Sequence, residues 1–263
     1  MRLPIYQIDA FTDRPFTGNP AAVMPLESWL PDEVMQSIAR ENNLAETAFL
    51  LKEADGWRIR WFTPECEIDL CGHATLASAF VLFTELDPAM ERVAFRSRSG
   101  HLEVFKDQGR LVLDFPSRPP KMGDRIDGLA EALRAEPSEY GLSRDMLAVF
   151  ESEAEIRALK PDMAALGELK TLGIIVTAKA STPGVDFVSR FFAPSVEVGV
   201  PEDPVTGSAH CTLIPFWAER LGKTAMRALQ VSRRGGELWC EHKGERVHIG
   251  GHAVKVMQGD FWL

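Results

Sequence analysis

At 263 residues, the chain is long enough for one large or two modest domains. A composition of 45% hydrophobic and 25% charged residues is that of a chain with a packed core and excludes a disordered one. The net charge of -9 argues against a nucleic-acid partner, because a phosphate-binding surface needs an excess of lysine and arginine.

Met1–Asp9 has no apolar signal-peptide core. It enters instead a strand pattern, Leu3–Asp9, in which apolar and polar residues alternate. Pro31–Asn42 is predicted to be a helix. Proline stands at its start, Asp32 and Glu33 lie in the first turn, and Val34, Met35, Ile38 and Ala39 share one face. Thr47–Leu51 reads as a short buried strand and Trp57–Phe62 as a half-buried one. His73–Leu86 is rich in Ala, Leu and Phe and nearly free of charge, which predicts a helix buried on most sides. Arg92–Ser97, Leu102–Lys106 and Arg110–Asp114 follow as a meander with glycine turns.

The prolines of Phe115–Lys121 stop both helix and sheet, which marks a linker. Beyond it, Pro161-Asp162 opens a helical stretch, Gly173–Ala178 and Asp186–Phe192 read as strands, and Ser208–Arg220 as a helix before further strands. No stretch approaches the roughly 20 apolar residues of a membrane span, so the chain is expected to be cytoplasmic with no membrane partner.

The second half repeats the first. Pro31 and Pro161 lie 130 residues apart, and so do Arg60 and Arg190, Phe62 and Phe192, and Pro64 and Pro194. Gly72 and Gly207, each opening an Ala-containing helix, lie 135 apart, which places a five-residue insertion in the second loop. A duplicated strand–loop–helix unit explains this spacing.

Each repeat thus carries a glycine turn into a helix N-terminus, Leu70–Ala79 and Asp203–Leu213. The free N–H groups and dipole of such a terminus bind anions, and glycine admits a ligand close to the backbone. Two termini facing one another would hold a small carboxylate in a cleft between domains. Among the nearby polar residues, His73 follows Gly72 and suits proton transfer near neutral pH. Asp203 precedes Gly207 by four residues and could face the same cleft, and Ser208 could donate its hydroxyl or cap the helix. Glu46 has two readings: a carboxylate set between Leu44 and Phe49, where its charged form is disfavoured, or an exposed glutamate at a helix C-terminus.

Four segments in order, Asp9–Val23 (DAFTDRPFTGNPAAV), NLAETAF, LCGHATLA and DPVTGSA, resemble the PhzF family of phenazine-biosynthesis-like proteins, relatives of diaminopimelate epimerase. The resemblance covers essentially the whole chain. It implies an α+β fold of two similar domains, each a curled, mostly antiparallel sheet around a central helix, here His73–Leu86 and Ser208–Arg220. The domains would span residues 1–115 and 122–251, with 252–263 packing back on the first. The activity implied is a cofactor-independent isomerisation of a dihydro-hydroxyanthranilate. Glu46 would carry the proton, His73 and Asp203 would orient and polarise the substrate, and Gly72, Gly207 and Ser208 would bind its polar groups. A homodimer is implied by the same resemblance.

Other readings are separable. The related epimerases place one cysteine at each helix start; here Cys71 precedes Gly72, but Thr206 precedes Gly207. A single-base epimerase or dehydratase using Cys71 is the alternative enzyme, and a binding protein without turnover the alternative of another class. Cys66, Cys71, Cys211 and Cys240 are too scattered for a disulfide scaffold. No metal is expected: His248 and His252 are separated by Gly250-Gly251, and Cys240-x-His242 has no companion ligands. Nucleotide-binding glycine motifs are absent.

Overall fold

The computed structural model of the chain describes residues 1–54, 56–193 and 201–263. The chain divides into two units, Met1–Phe115 with Ile249–Leu263, and Pro116–His248.

In the first unit the elements are β1 (Arg2–Ala10), β2 (Asn19–Leu26), α1 (Asp32–Asn42), β3 (Glu46–Glu53), β4 (Gly56–Phe62), β5 (Glu67–Ile68), α2 (Gly72–Val81), β6 (Arg92–Ser97), β7 (Gly100–Asp107) and β8 (Arg110–Pro116). Neighbouring pairs are antiparallel except β2–β3 and β4–β6, which are parallel. Strand alternation divides the apolar side chains between two faces. Leu3, Ile5, Met24, Phe49 and Phe62 meet Met35, Ile38 and Ala39 of α1. On the other side α2 packs against β1, β2, β3 and β7. It contains no Asp, Glu, Lys or Arg and every residue except Phe80 is buried, as its composition predicts. Leu82–Leu86 continues it as a π-helical turn, so the expected single helix changes its winding at Leu82. The strand β2 is not evident in sequence because it contains Pro20 and Pro25, which argue against a strand interior.

The second unit holds β9 (Lys121–Gly123), α3 (Leu129–Leu133), β10 (Glu139–Leu142), β11 (Met146–Val149), α4 (Glu153–Ala158), α5 (Met163–Gly167), β12 (Ile174–Lys179), β13 (Phe187–Phe192), β14 (Glu202–Asp203), α6 (Gly207–Leu221), β15 (Ala225–Gln230), β16 (Gly236–Lys243) and the first half of β17 (Arg246–Gly251), whose last three residues belong to the first unit. Short helices replace α1 here. The expected helix at Pro161-Asp162 is the five-residue α5, capped by Asp162 Oδ1 accepting from Ala165 N at 3.2 Å. The core beneath α3, α4 and α5 is built from Leu129, Leu133, Ile156, Leu166, Ile174 and Val176, with their neighbours. Helix α6 packs against β15 and β16. Its internal Pro215 has no N–H for the carbonyl of Cys211, and Arg118 N of the linker donates to that oxygen at 2.9 Å instead. The chain then returns to the first unit as β18 (Ala253–Trp262), antiparallel to β1 from Arg2↔Trp262 to Ala10↔Ala253.

The two units repeat one local design. Phe62 pairs with Glu67 and Phe192 with Glu202, both in antiparallel register. In the first, Arg60 grips Glu67 with two bonds of 2.7 Å; in the second, Arg190 grips Glu202 at 2.7 and 3.0 Å. Each guanidinium also lies over the phenylalanine two residues on, at 5.2 and 4.9 Å. These forked pairs fix the hairpins from which the chain enters α2 and α6. Pro194, the last residue of the second tetrad, lies outside the described residues. Among the described residues, no helix is long and apolar enough to cross a membrane.

Candidate active site

Three chain junctions meet at the N-terminal end of α2. Asn19 opens β2, Glu46 opens β3, and Cys71 is the N-cap residue from which Gly72 and His73 begin the helix. Residue Cys71 is extended and makes no side-chain cap, so the first N–H groups of α2 have no cap from it. Glu46 is 7% exposed and His73 3%. Helix α1 has already ended at Asn42, with Asn43 in the left-handed conformation, so the reading of Glu46 as an exposed helix-end residue is wrong.

Glu46 Oε2 lies 2.9 Å from His73 Nε2. The other ring nitrogen, Nδ1, is 2.9 Å from Asn19 Nδ2 and 3.5 Å from Cys71 Sγ. Burial disfavours a charged imidazole, while the Glu46 carboxylate beside Nε2 favours it, and the pKa of His73 is raised well above its ordinary value. The Asn19 amide serves either state of the ring. Its NH2 donates to a bare Nδ1, and after a half-turn its carbonyl oxygen accepts from Nδ1–H. Cys71 behaves oppositely. Burial first, and then the Glu46 charge, push its thiol up to about 11, so it is protonated at neutral pH and is not an activated nucleophile.

Donor atoms of Glu46, Cys71 and His73 lie within 4.8 Å of one another, a spacing that a metal ion could use. His248 lies 3.6 Å from Glu241, and His242 Nε2 lies 3.0 Å from the Gly244 carbonyl.

In the second unit, Asp203, Gly207 and Ser208 gather at the start of α6. Thr206 is the N-cap residue, so Ser208 is the second residue of the helix and not its cap. The hydroxyl of Thr206 donates to Asp203 Oδ2 at 2.5 Å. Buried Gln230 ties the turn from behind: its Oε1 accepts from Thr206 N at 2.9 Å and its Nε2 donates to Asp203 O at 2.8 Å. His210 Nδ1 lies 2.8 Å from the Thr206 carbonyl and donates to it; burial drives the pKa of this ring down to about 4, so it is neutral. Asn19, Gln230 and His210 are the residues that sequence reasoning missed. Asn19 lies inside the Asp9–Val23 segment and was within reach; Gln230 sits in an ordinary strand and carries no local signal.

Comparison with known proteins decides the family. Residues 8–259 match the family described as phenazine biosynthesis-like protein, PhzC-PhzF. The chain belongs to this family. A protein of Pseudomonas aeruginosa named as an uncharacterized isomerase is 55% identical, covering 98% of both chains. A crystal structure of a PhzF-family phenazine biosynthesis protein from Enterococcus faecalis is 49% identical, covers 100% of both chains and superposes with a TM-score of 0.95. A probable proline racemase from Agrobacterium radiobacter, only 9% identical, matches over 99% of this chain and 93% of its own with a TM-score of 0.68, which shows a shared fold. The fold is therefore α+β and epimerase-like, as the resemblance implied.

Proposed function

We propose that the chain is a cofactor-independent isomerase that moves a proton between carbons of a small carboxylate, of the dihydro-hydroxyanthranilate type. The buried contact of Glu46 Oε2 with His73 Nε2 at 2.9 Å carries this reading. A carboxylate beside a ring that favours its charged form pairs a base with an acid in one enclosed site. Glu46 takes a proton from one carbon, the electrons pass into the conjugated system, and Glu46 returns the proton to another carbon. His73, with Nε2 against Glu46, holds that carboxylate in place, and its positive charge favours the negative charge that develops on the substrate. No electrons are gained or lost overall, so the reaction needs no redox partner. The isomerase name of the Pseudomonas relative agrees with this chemistry. The roles given to Asp203 in orienting the substrate, and to Gly72, Gly207 and Ser208 in binding it, belong to the same proposal, as do the homodimer and the cytoplasmic location.

The protonated state of Cys71 counts against the thiol-based alternative. The deciding measurement is incorporation of solvent deuterium into a dihydro-hydroxyanthranilate. Glu46→Gln lowers the exchange rate by about 100-fold or more, the usual contribution of a positioned acid–base group. Exchange at the native rate removes Glu46 from the role. Binding without any exchange by the native chain makes the protein a binder instead.

A further inference from the structure

The loop between β1 and β2 holds an aromatic ring where folding alone gives no reason for one. Phe16 is 81% exposed and its backbone stands at φ +69°, in the left-handed region that a bulky L-residue rarely enters. An exposed phenyl ring forgoes burial of its apolar surface, and the backbone adds its own cost. The loop nevertheless enforces this arrangement. Phe16 N donates to Asp9 Oδ2 at 2.7 Å, and Asp9 is itself buried in β1. Thr12 and Thr17 join hydroxyls at 2.5 Å, and Thr12 Oγ1 also accepts from Arg14 N at 3.1 Å. Gly18, at φ +68°, closes the loop so tightly that a Cβ there would stand 2.2 Å from the Ala10 carbonyl. Three residues after Phe16 comes Asn19, whose amide contacts His73. Asn19 pairs with Ala10, and Ala21, two residues on, pairs with Glu46, so the loop that carries Phe16 lies at the end of the sheet that bears Glu46.

We infer that Phe16 is a specificity-determining residue, an apolar wall against the carbon skeleton of the substrate that selects flat, ring-containing carboxylates over short aliphatic ones. This rests on the isomerase reading for the location of the site, but not for its chemistry. The polar groups at the start of α2 are matched to charge and hydrogen bonds, and none of them distinguishes a ring from a short chain. An aromatic face does, through apolar contact and stacking.

Calorimetric titration of the full chain with anthranilate and with lactate tests the inference. The native chain binds anthranilate more tightly. Phe16→Asn, a residue that tolerates the left-handed backbone, weakens anthranilate about fivefold to tenfold while changing lactate less than twofold, and Phe16→Tyr restores the discrimination. Equal effects on both acids, no effect on either, or a native chain without preference overturns the role of Phe16. Glu46→Gln keeps the discrimination while losing deuterium exchange. A native chain that discriminates through Phe16 yet exchanges nothing refutes the isomerase reading and leaves the wall in place.

Discussion

The carboxylate of Glu153 makes the most quantitative stability test in the second unit. It is 3% exposed at the first turn of α4. Its Oε2 accepts from Ser181 N at 2.8 Å, Ser181 Oγ at 3.0 Å and Thr182 N at 3.0 Å, and its Oε1 from Thr182 Oγ1 and Arg157 Nε, both at 2.8 Å. Burial pushes its pKa upward, but Arg157, Thr182 and Ser181 overcome this and bring it from 4.5 down to about 2. That displacement corresponds to about 3 kcal/mol of stability at neutral pH. Counting bonds gives a similar figure. Glu153→Gln keeps one oxygen and turns an NH2 toward the donors of the other, losing bonds to a charged group worth roughly 1.5–3 kcal/mol each, partly compensated by relaxation. Urea unfolding of native and Glu153→Gln chains at pH 7, 5 and 3.5 measures the difference. Because the folded pKa is depressed, the contribution is complete above the unfolded pKa and declines as pH falls from about 4.5 toward 2. The gap between the two chains should therefore be about 3 kcal/mol at pH 7 and narrower at pH 3.5. A gap under about 1 kcal/mol at pH 7, or one that does not change with pH, would refute the argument.

Cys71→Ala should retain deuterium exchange within about threefold, because a thiol with its pKa near 11 supplies little thiolate at neutral pH; abolished exchange with Glu46→Gln still active reverses the assignment in favour of Cys71. His73 should keep the NMR signature of imidazolium at pH 7, where an ordinary histidine is mostly neutral, and its contribution to stability, present in full below about pH 6.5, should disappear as pH rises through the elevated folded value. A His73 ring that is already neutral at pH 6 would contradict the pairing with Glu46.

The repeat, the central helices and their glycines were legible because the physics behind them is local or periodic. An uncharged Ala-rich segment has to be buried, and Arg60 and Arg190 recur at one spacing because each clasps a glutamate across a hairpin. Strand β2 was hidden by its two prolines, which its place in the sheet overrides. The brevity of α5 was hidden because Pro161-Asp162 signals where a helix starts and not how far it runs. Glu46 could not be decided from its neighbours, since its burial depends on His73, 27 positions along the chain. Gln230 was illegible for the same reason: its partners Asp203 and Thr206 reach it only through the folded turn.

The two halves differ where their likeness would matter most for chemistry. Phe62 faces Thr47 in the first unit, and Phe192 faces Ile174 in the second, so the residue matched to Glu46 is the one before Ile174, Gly173. A Cβ at Gly173 would stand 2.1 Å from the ring of Phe191, so no carboxylate side chain fits there without moving that ring. At the helix starts, Cys71 and His73 are matched by Thr206 and Ser208, 135 positions on, neither of which titrates near neutral pH. The Thr206 hydroxyl is instead bonded to Asp203. Duplication has thus kept the clasp and the helix start of the second turn, while among the described residues the buried glutamate–histidine contact has no counterpart in the second unit. A racemase that attacks from both faces needs a proton carrier in each half. With Glu46 and His73 in one half, the isomerase proposal has a single glutamate both remove and return the proton, and movement between two carbons on one face of the substrate is the outcome that proposal expects.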